Sequence, residues 1–208
     1  MKITLLFISF LLFPYQGSEN ELDTWEVATV SEDDILVKSR IVREQINGST
    51  VKFLEYTATA VGDVEIGRCS EVVSNIEMHR FFLSGAARSE LIEERANGSA
   101  LIYYYFDATW PMKDYDCVFE MNKQVNKAGD EVIFSGQAAP DLYPMQGVKR
   151  VTYNRGSYTF IKQDDGQLLI EIETKVAPTV SYPDWALSTY FPDGPADIVQ
   201  SIMRLAQD

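Results

Sequence analysis

Scarcity sets the first limits on this chain of 208 residues. It holds one histidine, His79, and two cysteines, Cys69 and Cys117. A Ser-His-Asp triad would have to use that single imidazole, and no GxSxG nucleophile turn accompanies it. HExxH, a Walker phosphate loop and GxGxxG are missing too, so the common signatures of zinc proteases, nucleotide hydrolases and dinucleotide enzymes are absent. Without CxxC or any Cys/His cluster, a structural zinc site is not expected. Two cysteines define no disulfide framework. Cys69 and Cys117 could pair, or stay apart as buried thiols, and both readings remain open. Positive charge is the minority: 18 Lys and Arg stand against 31 Asp and Glu, for a net charge of -13. Such a surface repels phosphates, which excludes a nucleic-acid partner.

Long apolar runs are also scarce. One occurs, Ile3 to Phe13, preceded by Lys2 and followed by Pro14 and the small residues Gly17 and Ser18. It is too short to span a bilayer and has the order of a signal peptide. Residues 1–18 are therefore expected to be removed near Gly17 or Ser18 on export to a periplasm or the outside, leaving one domain over residues 22–208. No cysteine stands there to carry a lipid anchor. Asn47 and Asn97 each open an NGS triplet. That triplet is a glycosylation acceptor, but Asn-Gly is also a common hairpin turn, and the turn is the preferred reading.

What remains is mostly strand. Trp25 to Val30, Asp34 to Val42 and Val51 to Val61 read as strands. Asp63 to Ser74 shifts to helical spacing with Asp63 as N-cap, and Met78 to Leu83 is a second short helical piece. Strands return at Arg88 to Arg95 and in LIYYYFDATWPMKDYDCVFEM, residues Leu101 to Met121. Alternation there puts Ile102, Tyr104 and Phe106 on one face, and Trp110-Pro111 breaks the ladder. Asp114 to Val125 sets Tyr115, Cys117, Phe119 and Met121 on one side and Asp116, Glu120, Asn122 and Gln124 on a wet one. Glu131 to Gln137, Arg150 to Ile161 and Leu168 to Val176 complete an antiparallel sheet with one buried face. AAPDLYPMQG is a loop. Pro192 to Pro195 is expected to interrupt the C-terminal helical region. Asp197 to Ala206 then forms an amphipathic helix whose stripe needs the inner face of the sheet.

This order of elements, with several local patterns, resembles the START domain, the lipid-transfer module related to the steroidogenic acute regulatory protein. The aromatic strand LIYYYFDAT, Trp110-Pro111 and Asp116 match the family's aromatic strand, Trp-Pro and Arg-Asp pattern, with Tyr115 where the arginine would stand. Pro183 and Trp185 fit the pattern before the last helix, where Ser188 replaces an asparagine. Trp25 fits an opening tryptophan, and Arg150 a recurring arginine. The resemblance runs from Trp25 to about Leu205. It implies an α+β helix-grip fold, a curved antiparallel sheet wrapped around a long C-terminal helix with a lipid-sized cavity between them.

On that fold the cavity lining is expected from Tyr104, Phe106, Tyr115, Phe119, Met121, Phe134, Ile170, Ile172, Ile198, Ile202 and Met203. Core filling is the alternative for each taken singly. Inward tyrosine hydroxyls are the expected contacts for a ligand's polar end. The expected partner is a hydrophobic small molecule or lipid, held by a monomer that touches membranes transiently and uses no cofactor. The expected gate is the C-terminal helix with the AAPDLYPMQG loop. A cavity enzyme of cyclase or hydrolase type and an interaction module with a closed core are the alternatives, since fold alone does not decide function.

Overall fold

Alternating apolar and polar residues along most of the chain build one ten-stranded sheet. A computed structural model describes residues 24–30, 34–108, 113–179 and 192–207. The expected signal peptide, Trp110-Pro111 and the Pro183, Trp185 and Ser188 pattern lie outside the described residues. The strands are β1 (Glu26–Val30), β2 (Ile35–Ile46), β3 (Ser49–Gly62), β4 (Ala86–Glu94), β5 (Ala100–Phe106), β6 (Tyr115–Val125), β7 (Glu131–Ala138), β8 (Lys149–Arg150), β9 (Asn154–Lys162) and β10 (Leu168–Val176). Their order is β1-β2-β3-β10-β9-β7-β6-β5-β4. Every neighbouring pair is antiparallel except β8, which lies parallel beside β6. The β2–β3 hairpin turns at Asn47-Gly48, where both residues have positive φ, 50° and 79°. Tight two-residue hairpins require that geometry, and Asn-Gly adopts it readily.

Four described helical pieces accompany the sheet: α1 (Ile66–Ser74), a 3₁₀ turn at Ile76–Met78, α2 (His79–Phe82) and α3 (Asp193–Gln207). A further 3₁₀ turn, Pro140–Leu142, lies within the loop after β7. Helix α3 packs on β2, β3 and β10, while α1 packs on α3, β7 and β9. The core lies between these helices and one face of the sheet. Its register is visible in a row across five strands: Val37 opposite Ala58, Ala58 opposite Ile172, Ile172 opposite Tyr158, and Tyr158 opposite Phe134. Burying a side chain such as Phe134 or Ile172 contributes roughly 1.5–3 kcal/mol.

Four expectations from sequence need correction. Helix α1 starts at Ile66, with Glu65 as an extended N-cap making no side-chain cap bond, so Asp63 does not cap it. Helix α3 begins at Asp193 rather than Asp197, so Pro195 sits in its first turn. That position tolerates proline because the first N–H groups of a helix have no intrahelical acceptor. The part of the C-terminal helical region expected before Pro192 lies outside the described residues. The segment from Arg150 to Ile161 is not one strand: Lys149–Arg150 pairs with β6, and β9 starts afresh at Asn154.

Asp116 is the largest departure. It was assigned to a wet face, yet it is fully buried. Its two carboxylate oxygens take hydrogen bonds from Arg150 Nε (2.9 Å) and Nη2 (2.7 Å). The same guanidinium donates to the carbonyls of Pro140 and Pro144, each at 2.9 Å, and to that of Tyr143. One arginine therefore pins residues 140–144 over the outer face of β6, above a small cluster of Leu101, Tyr103 and Val118. This clamp holds the middle of the AAPDLYPMQG loop, so that part is anchored rather than hinged.

Two glycines mark where the strands crowd. Gly136 and Gly156 face each other across β7 and β9. A Cβ on Gly136 would come within 2.2 Å of the Glu120 carbonyl oxygen and 2.5 Å of the Phe119 ring. Only a residue without a side chain fits such an approach.

Candidate functional site on the inner face

All eleven residues expected to line a cavity converge on one apolar cluster. Tyr104, Phe119, Met121, Phe134, Ile170, Ile172, Ile198 and Ile202 are buried in it, and Phe106, Tyr115 and Met203 are half-buried against it. The period-two pattern places them: on β5 and β6, Tyr104 lies opposite Cys117, Ile102 opposite Phe119 and Phe106 opposite Tyr115. The Phe106 and Tyr115 rings stack with centroids 4.7 Å apart. From α3, Ile198 and Ile202 share one face at helical spacing.

The same cluster holds polar side chains that the sequence had not assigned to it. His79, on α2, is fully buried. Its Nδ1 lies 2.7 Å from the Tyr104 hydroxyl, and its Nε2 lies 2.8 Å from the Val73 carbonyl oxygen. The His79 and Tyr104 rings lie nearly parallel at 5.8 Å. Phe82 packs against His79 at 4.9 Å and against Tyr158 of β9 at 5.9 Å. Tyr158 was overlooked as a lining residue, although the alternation Gly156, Tyr158, Phe160 points inward like its neighbours. His79 had no comparable signal, because one histidine in a four-residue helix has no periodicity to place it.

Burial dominates the electrostatics here. It brings the His79 imidazole down to about 4, against a raising effect of the Val73 carbonyl, so His79 is neutral at pH 7. Burial pushes the Cys69 thiol up to about 11 and the Cys117 thiol up to about 12. It also raises the Tyr104 and Tyr158 phenols. Both cysteines are free thiols, so the pairing left open by the sequence is not made. A protonated, buried thiol is a poor nucleophile. Among the described residues no group of three or more His, Cys, Asp or Glu could hold a metal ion.

The outer face is built differently. A groove of about 640 Å³ runs across it, lined by charged and polar side chains such as Arg40, Glu55, Glu120, Arg155 and Glu173. At its edge Arg40 sits 4.5 Å above the Trp25 ring. Arg40 also reaches Glu55 at 2.6 Å, and Lys175 joins Glu55 at 2.8 Å and Glu44. Burial alone would raise the Glu55 carboxyl, but hydrogen bonds from Lys175 and Arg40 outweigh it and hold the carboxyl below its ordinary value.

No family model and no curated protein matches the chain by sequence. Solved structures do match it by shape. The STAR-related lipid transfer protein from Xanthomonas axonopodis superposes with a TM-score of 0.72 at 20% identity, over 89% of this chain and 100% of that one. Human StAR-related lipid transfer protein 5 gives 0.70 at 10% identity, over 88% and 86%. The Zhui aromatase/cyclase from Streptomyces is more distant, at 0.53 and 11% identity, over 74% and 94%. The chain therefore has the START-like helix-grip fold, an α+β architecture, as the sequence resemblance implied.

Proposed function

We propose that this protein binds a hydrophobic small molecule of the lipid class between the inner face of its sheet and helix α3, and carries it chemically unchanged through water. The observation that carries the reading is the convergence of the aromatic strand β5, strands β6, β7 and β10, and α3 on one apolar cluster, within a fold that lipid-transfer proteins share. The driving force is desolvation, about 25 cal/mol for each Å² of apolar ligand surface removed from water. The site needs shape and closure rather than reactive groups. In keeping with that, its thiols are protonated and its histidine is neutral and already hydrogen-bonded on both nitrogens.

Under the same proposal the protein works as an exported monomer in a periplasm or outside the cell. It needs no cofactor, meets membranes transiently to load and unload, and avoids nucleic acid because of its charge of -13. Incubation of the purified protein with a lipid mixture, followed by extraction, tests carrier against enzyme. A carrier returns bound lipid unaltered and speeds its movement between vesicles. A cyclase or hydrolase, the reading favoured by the likeness to the aromatase/cyclase, returns altered molecules.

A further inference from the structure

Hydrogen-bond bookkeeping around His79 deepens the proposed function and rests on it. A carbonyl oxygen can only accept, so the 2.8 Å contact with Val73 requires the proton of the neutral imidazole to sit on Nε2. Nδ1 then carries a lone pair and can only accept. The 2.7 Å contact to it must therefore be a donation from the Tyr104 hydroxyl. The phenol's single proton is thereby committed, and the Tyr104 oxygen can offer an incoming group nothing but an acceptor. Both groups are deep in the apolar cluster, where a mismatched polar contact costs most.

Tyr158 supplies the complement. It faces the same interior across Phe82, whose ring lies 5.9 Å from that of Tyr158 and 4.9 Å from that of His79. It sits in the middle of the sheet, opposite Phe134 and Ile172, and is half-buried against the same cluster. Its hydroxyl has no hydrogen-bond partner among the described residues, so its proton is available.

We propose that the His79–Tyr104 pair, with Tyr158 beside it, selects ligands whose buried end is a hydroxyl. An alcohol can donate to Tyr104 and accept from Tyr158. A ketone or ether can accept from Tyr158 but leaves the Tyr104 acceptor unmet. A carboxylate can accept from Tyr158 but has no proton for Tyr104, whose oxygen would repel it.

The test is the binding of four probes of matched chain length to the full protein: 1-hexadecanol, 2-hexadecanone, hexadecyl methyl ether and hexadecanoic acid. Competition is read by native mass spectrometry. The alcohol is expected to outcompete the ketone and ether by about tenfold, the worth of one net hydrogen bond. Tyr104→Phe is expected to erase that preference while the ketone binds as before. His79→Leu frees the Tyr104 proton and is expected to raise ketone binding, which a merely structural role would not do. Equal binding of alcohol and ketone by the unaltered protein overturns the selector and leaves the lipid-binding reading standing. Retention of none of the four overturns both. The unaltered protein decides the matter even if a variant fails to fold.

Discussion

The two faces of the sheet solve the problem of polarity in opposite ways. On the inner face polar groups are few and neutral, and the buried pair is satisfied without charge: Tyr104 donates to His79, and His79 donates to Val73. On the outer face polar groups are many and charged, and they are matched in pairs: Arg40 and Lys175 with Glu55, and Arg150 with Asp116. An apolar interior cannot carry full charges without a large desolvation cost. The exterior can, and it uses one deeply buried pair to fasten a loop. Under the proposed function, structural rigidity and binding capacity fall on different sides of one sheet.

The sharpest way to break the comparison is to attack the outer clamp. Arg150→Met leaves the Asp116 carboxylate buried without its partner and three carbonyls without a donor. A loss of about 3–5 kcal/mol is expected, read by urea unfolding. The double variant Asp116→Leu/Arg150→Met should recover a good part of it, because the uncompensated charge is gone.

The inner face should instead reveal itself through pH. The His79 imidazole ordinarily titrates near 6.5 and is brought to about 4 by burial. The unfolded chain therefore binds more protons across this window. Stability contributed by neutral His79 is complete above about pH 6.5 and is lost as pH falls toward 4, by at most about 3 kcal/mol. Denaturation midpoints measured at intervals from pH 7.5 to 4.5 check this. In His79→Leu the slope between pH 6.5 and 5 should flatten.

A smaller effect separates shape from charge. Gly136→Ala brings a methyl group within 2.2 Å of the Glu120 carbonyl oxygen, so strands β6 and β7 must part. A cost of about 1–3 kcal/mol is expected in thermal unfolding, with no dependence on salt. Smallest of all is the exposed side of the outer network. Glu44→Gln removes the exposed partner of Lys175, which keeps Glu55 at 2.8 Å, and should cost less than about 1 kcal/mol, diminishing further as salt is added.

The same contrast explains what could be read in advance. The inner face was legible because its strands alternate strictly: Leu168, Ile170 and Ile172 on β10, and Tyr104 and Phe106 on β5, need only a period of two to be placed on one side. The C-terminal stripe Ile198, Val199 and Ile202 needed only the helical period. Asp116 was misplaced because alternation reports which side a residue faces, and not whether something distant covers that side. Its cover comes from Arg150 and residues 140–144, brought together only by the fold. His79 was visible as the one histidine, but its role depends on a contact 25 residues along the chain. Helix boundaries slipped for a local reason: Asp63 had the chemistry of a cap, but the chain stays extended to Glu65 before it turns.

The most direct test is what the protein holds when it is purified from the cells that made it. Native mass spectrometry of the protein purified without detergent should show, beside the bare chain, a non-covalent species heavier by the mass of a lipid, lost on gentle activation and recovered intact in an organic extract. Repeated preparations that carry only the bare chain, and that take up no apolar probe when offered one, would contradict it.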